Sequence, residues 1–192
     1  MLRILLIDES AERADHISAG IERSGAVVAA LLRSTSADLP RQVEALRPDV
    51  ILIDTDSPSR DTLEHLSVLG SRAPRPVVMF ARDGDDEVIR AAVKAGVAAY
   101  VVDGLDLKRL KPILAVAIAR FEEQQALKRE LAETARKLSE RKLVERAKGL
   151  LMKTRGLDEE AAYAALRRLA MERGAPLAAV ARQVIDISRI LL

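Results

Sequence analysis

Cysteine is absent from the 192-residue sequence, so disulfides and thiolate metal centres are excluded and a reducing cytoplasm is the natural setting. No apolar run reaches the roughly 20 residues that a membrane-spanning helix needs. The opening "MLRILLID" also meets an acid too early for a signal peptide. A soluble, cytoplasmic protein with no membrane association is expected. A catalytic constellation is missing as well: His16 and His65 fall on helical segments with no paired nucleophile. Surface or packing roles are expected for them, and no enzymatic activity. Net charge is nearly absent, at +2, but this sum conceals a division. Residues 1–106 carry 12 basic and 18 acidic side chains, residues 107–135 carry 6 and 4, and residues 136–192 carry 13 and 7, giving −6, +2 and +6. An acidic front joined to a basic tail points to an anionic partner for the tail, nucleic acid or otherwise, unless the basic surface is merely solvated.

What the first half does contain is a series of short aliphatic runs. "RILLID" and "DVILIDTD" end in carboxylates, and "AVVAALL", "PVVMFA" and "AYVVDG" are similar. Between them lie "SAERADHISAGIERSG", "DLPRQVEALRP", "SRDTLEHLSVLGS" and "DDEVIRAAVKAGV", all with helical spacing. Five strands alternating with helices imply an α/β fold, a doubly wound parallel sheet covered on both faces. Ligands of such sheets gather at the carboxyl ends of the strands.

Asp8, Glu9 and Asp54 all emerge at that end. Three converging carboxylates suit a magnesium ion, and an ionised aspartate beside it could attack a phosphoryl group. "LLIDES" and "LIDTDSP" in this order resemble the receiver domain of response regulators, a flavodoxin-like fold, over about residues 1–120. The resemblance makes Asp54 the phosphoacceptor. It fails at two positions, because Ala81 stands where receivers carry Ser or Thr after the fourth strand, and Asp103 where they carry Lys after the fifth. Asp103 would add negative charge where neutralisation is needed. The pocket is then either a remnant in a domain switched by protein contact, with no cofactor required, or a working phosphoacceptor that alters dimerisation.

From Leu107 onward, Leu110, Leu114, Ala117, Phe121, Leu131, Ala135 and Leu138 recur in steps of three and four, interrupted by Gln124 and Lys128. This predicts one long coiled-coil linker helix over 107–145, its stripe paired in a dimer or packed back on its own domain. After Arg141, Gly156, Asp158, Gly174 and Pro176 punctuate three amphipathic helices. Their stripes are Leu143, Val144, Ala147, Leu150 and Leu151; Ala162, Tyr163, Leu166, Leu169 and Ala170; and Leu177, Val180, Val184, Ile187 and Leu191. A small three-helix bundle follows.

Beside the first stripe the helical wheel places Arg141, Lys148 and Met152, and beside the second Arg167 and Met171. Cations pair with phosphates while flexible apolar surface receives unstacked bases, so the combination suits RNA. Gly149 would permit close approach of another backbone; alternatively, Gly149 and Met152 serve helix packing. A DNA-binding reading fits the charge equally but lacks a recognisable recognition helix.

"RKLVERAKGLLMKTRGLDEEAAYAALRRLAMERG" with the following "VARQVI" resembles the ANTAR domain of the AmiR and NasR transcription antitermination regulators, over about residues 136–192. That resemblance implies a dimer, formed on a coiled-coil stem, that binds paired stem-loops in leader mRNA. Ala147, Lys148, Gly149, Met152, Arg167 and Met171 become the RNA-surface candidates, joined by Arg141 from the wheel. "VVMFARDGDDEVIRAAVKAGVAAYVVDGL" is similar to the NasT-type branch, regulators of nitrate and nitrite assimilation, which implies an inhibitory nitrate-sensing protein as partner.

Overall fold

The computed structural model describes residues 1–23 and 25–191, with side chains described up to residue 188. In chain order the elements are β1 (Arg3–Asp8), α1 (Ala11–Arg23), β2 (Val27–Leu32), α2 (Leu39–Leu46), β3 (Val50–Thr55) and α3 (Arg60–Arg72). Then follow β4 (Val77–Ala81), α4 (Asp86–Lys94), β5 (Ala99–Val102), α5 (Leu107–Arg155), α6 (Glu159–Arg173) and α7 (Leu177–Leu191). Two compact units are present, Met1–Gln125 and Ala126–Leu192, so the division falls inside α5.

In the first unit five parallel strands run in the order β2-β1-β3-β4-β5, the receiver-like arrangement expected from the aliphatic runs. β4 is buried along its whole length and β3 at all but its last residue, because helices cover both faces of the sheet. Alternate residues divide the core. Ile4, Leu6, Val50, Leu52 and Phe80 pack on one face with Ile17 and Ile21 of α1 and with Leu110, Leu114 and Ala117 of α5. Leu5, Ile7, Ile51, Ile53 and Met79 pack on the other with Val43, Leu66, Leu69 and Ala92 of α2, α3 and α4. The α1–α5 contact depends on Gly20: a Cβ there would collide with the side chain of Leu107.

Helix α5 spans 49 residues without interruption, rather than ending near residue 145 and restarting after Arg141. Its one proline, Pro112, lies near the start, and no cap or glycine precedes Gly149 to stop it. The apolar stripe divides in two. Leu110, Leu114 and Ala117 are buried on the chain's own sheet, whereas every residue from 126 to 139 is exposed.

In the second unit Ala147, Leu166, Ala170, Val180, Ala181 and Ile185 form the core of a small helical bundle, flanked by Leu143, Val144, Leu150, Leu151, Leu169, Leu177 and Val184. Asp158 caps α6 by accepting from the Ala161 N–H at 2.7 Å, and Gly174 ends it in a left-handed conformation. Two stripe residues depart from expectation: Tyr163 and Ile187 are 43% and 53% exposed. A three-helix bundle this small covers only a narrow arc of each helix, and both residues sit at the edge of their stripes. The side chain of Leu191 lies outside the described residues.

Candidate functional site

Two sites emerge, one in each unit. In the first, Asp8 ends β1 and lies in register with Asp54 of β3, so parallel pairing alone brings the two carboxylates together. Both are buried. Between them sits a side chain absent from the sequence-based site, Arg13, in the first turn of α1. Its Nη2 donates to Asp8 Oδ1 at 2.9 Å, while Nε lies 2.8 Å from Asp54 Oδ2 and 3.1 Å from Asp8 Oδ2. Nη1 reaches Asp56 Oδ1 at 3.4 Å, which Arg82 also approaches at 3.4 Å. The backbone N–H of Ser10 donates to Asp8 Oδ1 at 2.8 Å.

Loops knit the rim of this pocket. The Asp56 carbonyl accepts from the N–H groups of Arg82 and Asp83 at 3.1 and 3.0 Å, and the Ser57 hydroxyl donates to Asp83 Oδ2 at 2.8 Å. That bond and a backbone N–H of Asp85 hold the Asp83 carboxyl below its ordinary range, the backbone bond being the larger cause. Ala81 is buried at the end of β4 and offers no hydroxyl. Asp103 is exposed in a left-handed turn, φ 71°, and takes no part in the ion-pair network among the described residues. The expected fourth negative charge is therefore not added to the buried pair.

Asp8, Glu9 and Asp54 do border one small cleft, of about 10 Å³, with Arg33, Thr35 and Thr62. That is room for no more than about one water. The donor set does not fit magnesium. That ion needs near-octahedral oxygens at about 2.0–2.1 Å, yet both Asp8 oxygens and one Asp54 oxygen are engaged by a guanidinium. Glu9 is exposed, and no group of three metal-ligating side chains occurs among the described residues.

Burial raises the Asp54 carboxyl above its ordinary 3.8, with Arg13 opposing the shift. The folded state therefore holds the proton more tightly than the unfolded state. The charged form has no destabilising effect below 3.8. That effect grows as pH rises through the folded-state value and persists at neutrality. Asp54→Asn keeps an acceptor for Arg13 without the charge, so it is expected to stabilise the protein at pH 7. Thermal melts across pH check this: the gain shrinks on acidification, and a lower Tm for the variant at pH 7 would contradict it.

The second site is the basic bundle. Arg141, Gly149, Met152, Arg167 and Met171 are exposed, as a binding surface requires. Two candidates are buried. Ala147 is fully buried in the bundle core. Lys148 is only 8% exposed, and its Nζ lies 2.9 Å from Glu145 and 2.7 Å from Glu159. Its stem is covered while its charge links α5 to the first turn of α6. The Glu159 hydrogen bond, then that of Glu145, raises the ammonium's pKa, and the same bond holds Glu159 below its ordinary range. Lys148 is thus a structural tie in the free chain, its ammonium already paired, and its loss would disturb the bundle.

Tyr163, Arg167 and Met171 follow one another at four-residue intervals on α6 and are all exposed, forming a single ridge. Arg167 makes no ion pair among the described residues. Tyr163 was hidden from sequence reasoning because its spacing fits the apolar stripe.

The family model for the response regulator receiver domain matches residues 4–115, and that for the ANTAR domain matches residues 132–185. The chain is 34% identical over 143 residues to the transcriptional regulatory protein PdtaR of Mycobacterium tuberculosis, covering 74% of this chain and 70% of that one. It is 35% identical over 85 residues to the nitrate regulatory protein of Klebsiella oxytoca, covering 44% of this chain and 22% of that one. Among solved structures, the receiver domain of NarL from Mycobacterium tuberculosis matches with TM-score 0.53 at 19% identity, over 60% of this chain and 95% of that one. The receiver domain of a modulated diguanylate cyclase from Desulfovibrio desulfuricans gives 0.54 at 19%, over 65% and 99%. These last two likenesses concern the fold alone.

Proposed function

Because the chain belongs to the response regulators that join a receiver domain to an ANTAR domain, we propose that it is a transcription antitermination regulator that binds paired stem-loops in leader mRNA. The observation that carries this reading is the exposed ridge of Tyr163, Arg167 and Met171 on α6, in a segment with a charge of +6 over residues 136–192. A guanidinium flanked by an aromatic ring and a thioether offers a phosphate contact between two surfaces on which unstacked loop bases can rest. Arg141, Gly149 and Met152 of α5 supply further exposed contacts.

Gly149 tests the reading without removing a charge. Its helical position is surrounded by open space, with nothing within 4 Å of a built Cβ, so internal packing does not require glycine. Alanine there is expected to stabilise the helix by about 1 kcal/mol and, if RNA backbone approaches Gly149, to weaken binding. Thermal melts and gel shifts on leader stem-loops measure the two effects. A variant that is more stable and binds equally well removes Gly149 from the surface.

The exposed leucines of α5 serve dimerisation on RNA, and the acidic unit receives its signal from a protein partner. Similarity to a nitrate regulatory protein supports a nitrate-sensing partner and nitrate assimilation transcripts as targets. Phosphorylation of Asp54 is the less favoured input, since that carboxylate is buried and already paired with Arg13.

A further inference from the structure

We infer that Arg13 is the resident cation of the acidic pocket, holding permanently the place that a divalent metal ion would take in a metal-dependent receiver. The inference concerns the first unit and does not depend on RNA binding. Its basis is the contact set: one guanidinium spans Asp8 at the end of β1 and Asp54 and Asp56 at the end of β3. Bridging carboxylates on the ends of two strands and the following loop is the structural task of a divalent ion in such a pocket.

Charge and geometry point the same way. Asp8 is 1% and Asp54 6% exposed, and two adjacent buried carboxylates cannot both remain ionised without a counterion. Arg13 supplies it through a fork whose protons stay bound at any physiological pH. The Asp8 and Asp54 pairings raise its already high pKa further, the Asp8 hydrogen bond being the largest cause. An incoming Mg²⁺ must displace this guanidinium before either Asp8 oxygen can serve as a ligand. Since Arg13 sits in α1, it also links that helix to the strand ends. Through Asp56, whose carbonyl binds the Arg82 and Asp83 N–H groups, it fixes the β3–α3 loop against the β4–α4 loop. The unit keeps a neutralised pocket whether or not magnesium is present.

Full-length wild type and Arg13→Gln, which retains an amide donor but no charge, are titrated with Mn²⁺ by electron paramagnetic resonance. Both are melted with and without Mg²⁺. Wild type is expected to take up no Mn²⁺ that depends on Asp54 and to show no Mg²⁺ shift in Tm. Arg13→Gln is expected to melt lower, to regain stability with Mg²⁺, and to bind Mn²⁺ at least about tenfold more tightly than wild type. Adding Asp54→Asn to it abolishes that uptake. Should Arg13→Gln fail to fold, Arg13→Lys replaces it: one ammonium cannot bridge three carboxylates, so the same gain is expected, smaller in size. Wild-type uptake equal to the variant's and abolished by Asp54→Asn overturns the inference. So does a folded Arg13 variant that gains no site, because the guanidinium is then not what occupies the cation's place.

Discussion

Leu131→Asp combined with Leu138→Asp is expected to turn the proposed RNA-bound dimer into a monomer and to lower affinity for a paired stem-loop by about 10²- to 10⁴-fold, the advantage that disappears when two linked binding events become independent. In the single chain these leucines are 72% and 55% exposed, and Leu127 is 59% exposed. Every residue between 126 and 139 is exposed, so the segment contributes to neither unit's core. A helix carrying leucines on a segment without neighbours gains little from propensity alone, whereas each leucine buried in a two-fold seam contributes about 1.5–3 kcal/mol. Aspartates placed there would face their own symmetry mates. Because neither core is touched, circular dichroism of the free variant should retain the signal of both units. Light scattering with and without stem-loop RNA reads the mass directly. A variant that remains dimeric on RNA dismisses this seam.

The second large effect belongs to Arg141 and Arg167. Both are exposed and neither forms an ion pair among the described residues, so their charges are available to an external anion. Replacing both by alanine is expected to reduce leader-RNA affinity on the order of a hundredfold, if each supplies one charge-assisted hydrogen bond. The dependence of log K on log salt should flatten by roughly 0.7–0.9 for each phosphate that is no longer neutralised. Stability should stay near wild type because neither side chain is buried. Reduced affinity with an unaltered salt slope would assign them a role other than phosphate binding. An unchanged affinity would move the RNA surface elsewhere. Lys148→Ala makes an informative contrast, since its ammonium is already held by Glu145 and Glu159. Any weakening of RNA binding there should accompany a less stable bundle.

Local periodicity by itself determined the alternation of strands and helices, the acids at the ends of β1 and β3, the cap at Asp158 and the stop at Gly174. Each of these depends on residues within a few positions of one another, and strand or helix spacing carries that information. The ANTAR motif likewise pointed to the exposed Arg167 and Met171. Tertiary structure decided the rest. Arg13 reaches Asp8, Asp54 and Asp56 only because α1 is laid over the strand ends, and the direction of a long cationic side chain is not written in its spacing. Lys148 shares a helical flank with exposed Met152, yet the return of α6 places Glu159 against it, eleven residues later in sequence. A wheel drawn on one helix cannot contain that neighbour. Tyr163 fits an apolar stripe, but the width of a small bundle leaves it 43% exposed. Burial and ion pairing are properties of what comes to lie next to a residue, and for these three side chains that was fixed in large part by elements other than their own helix.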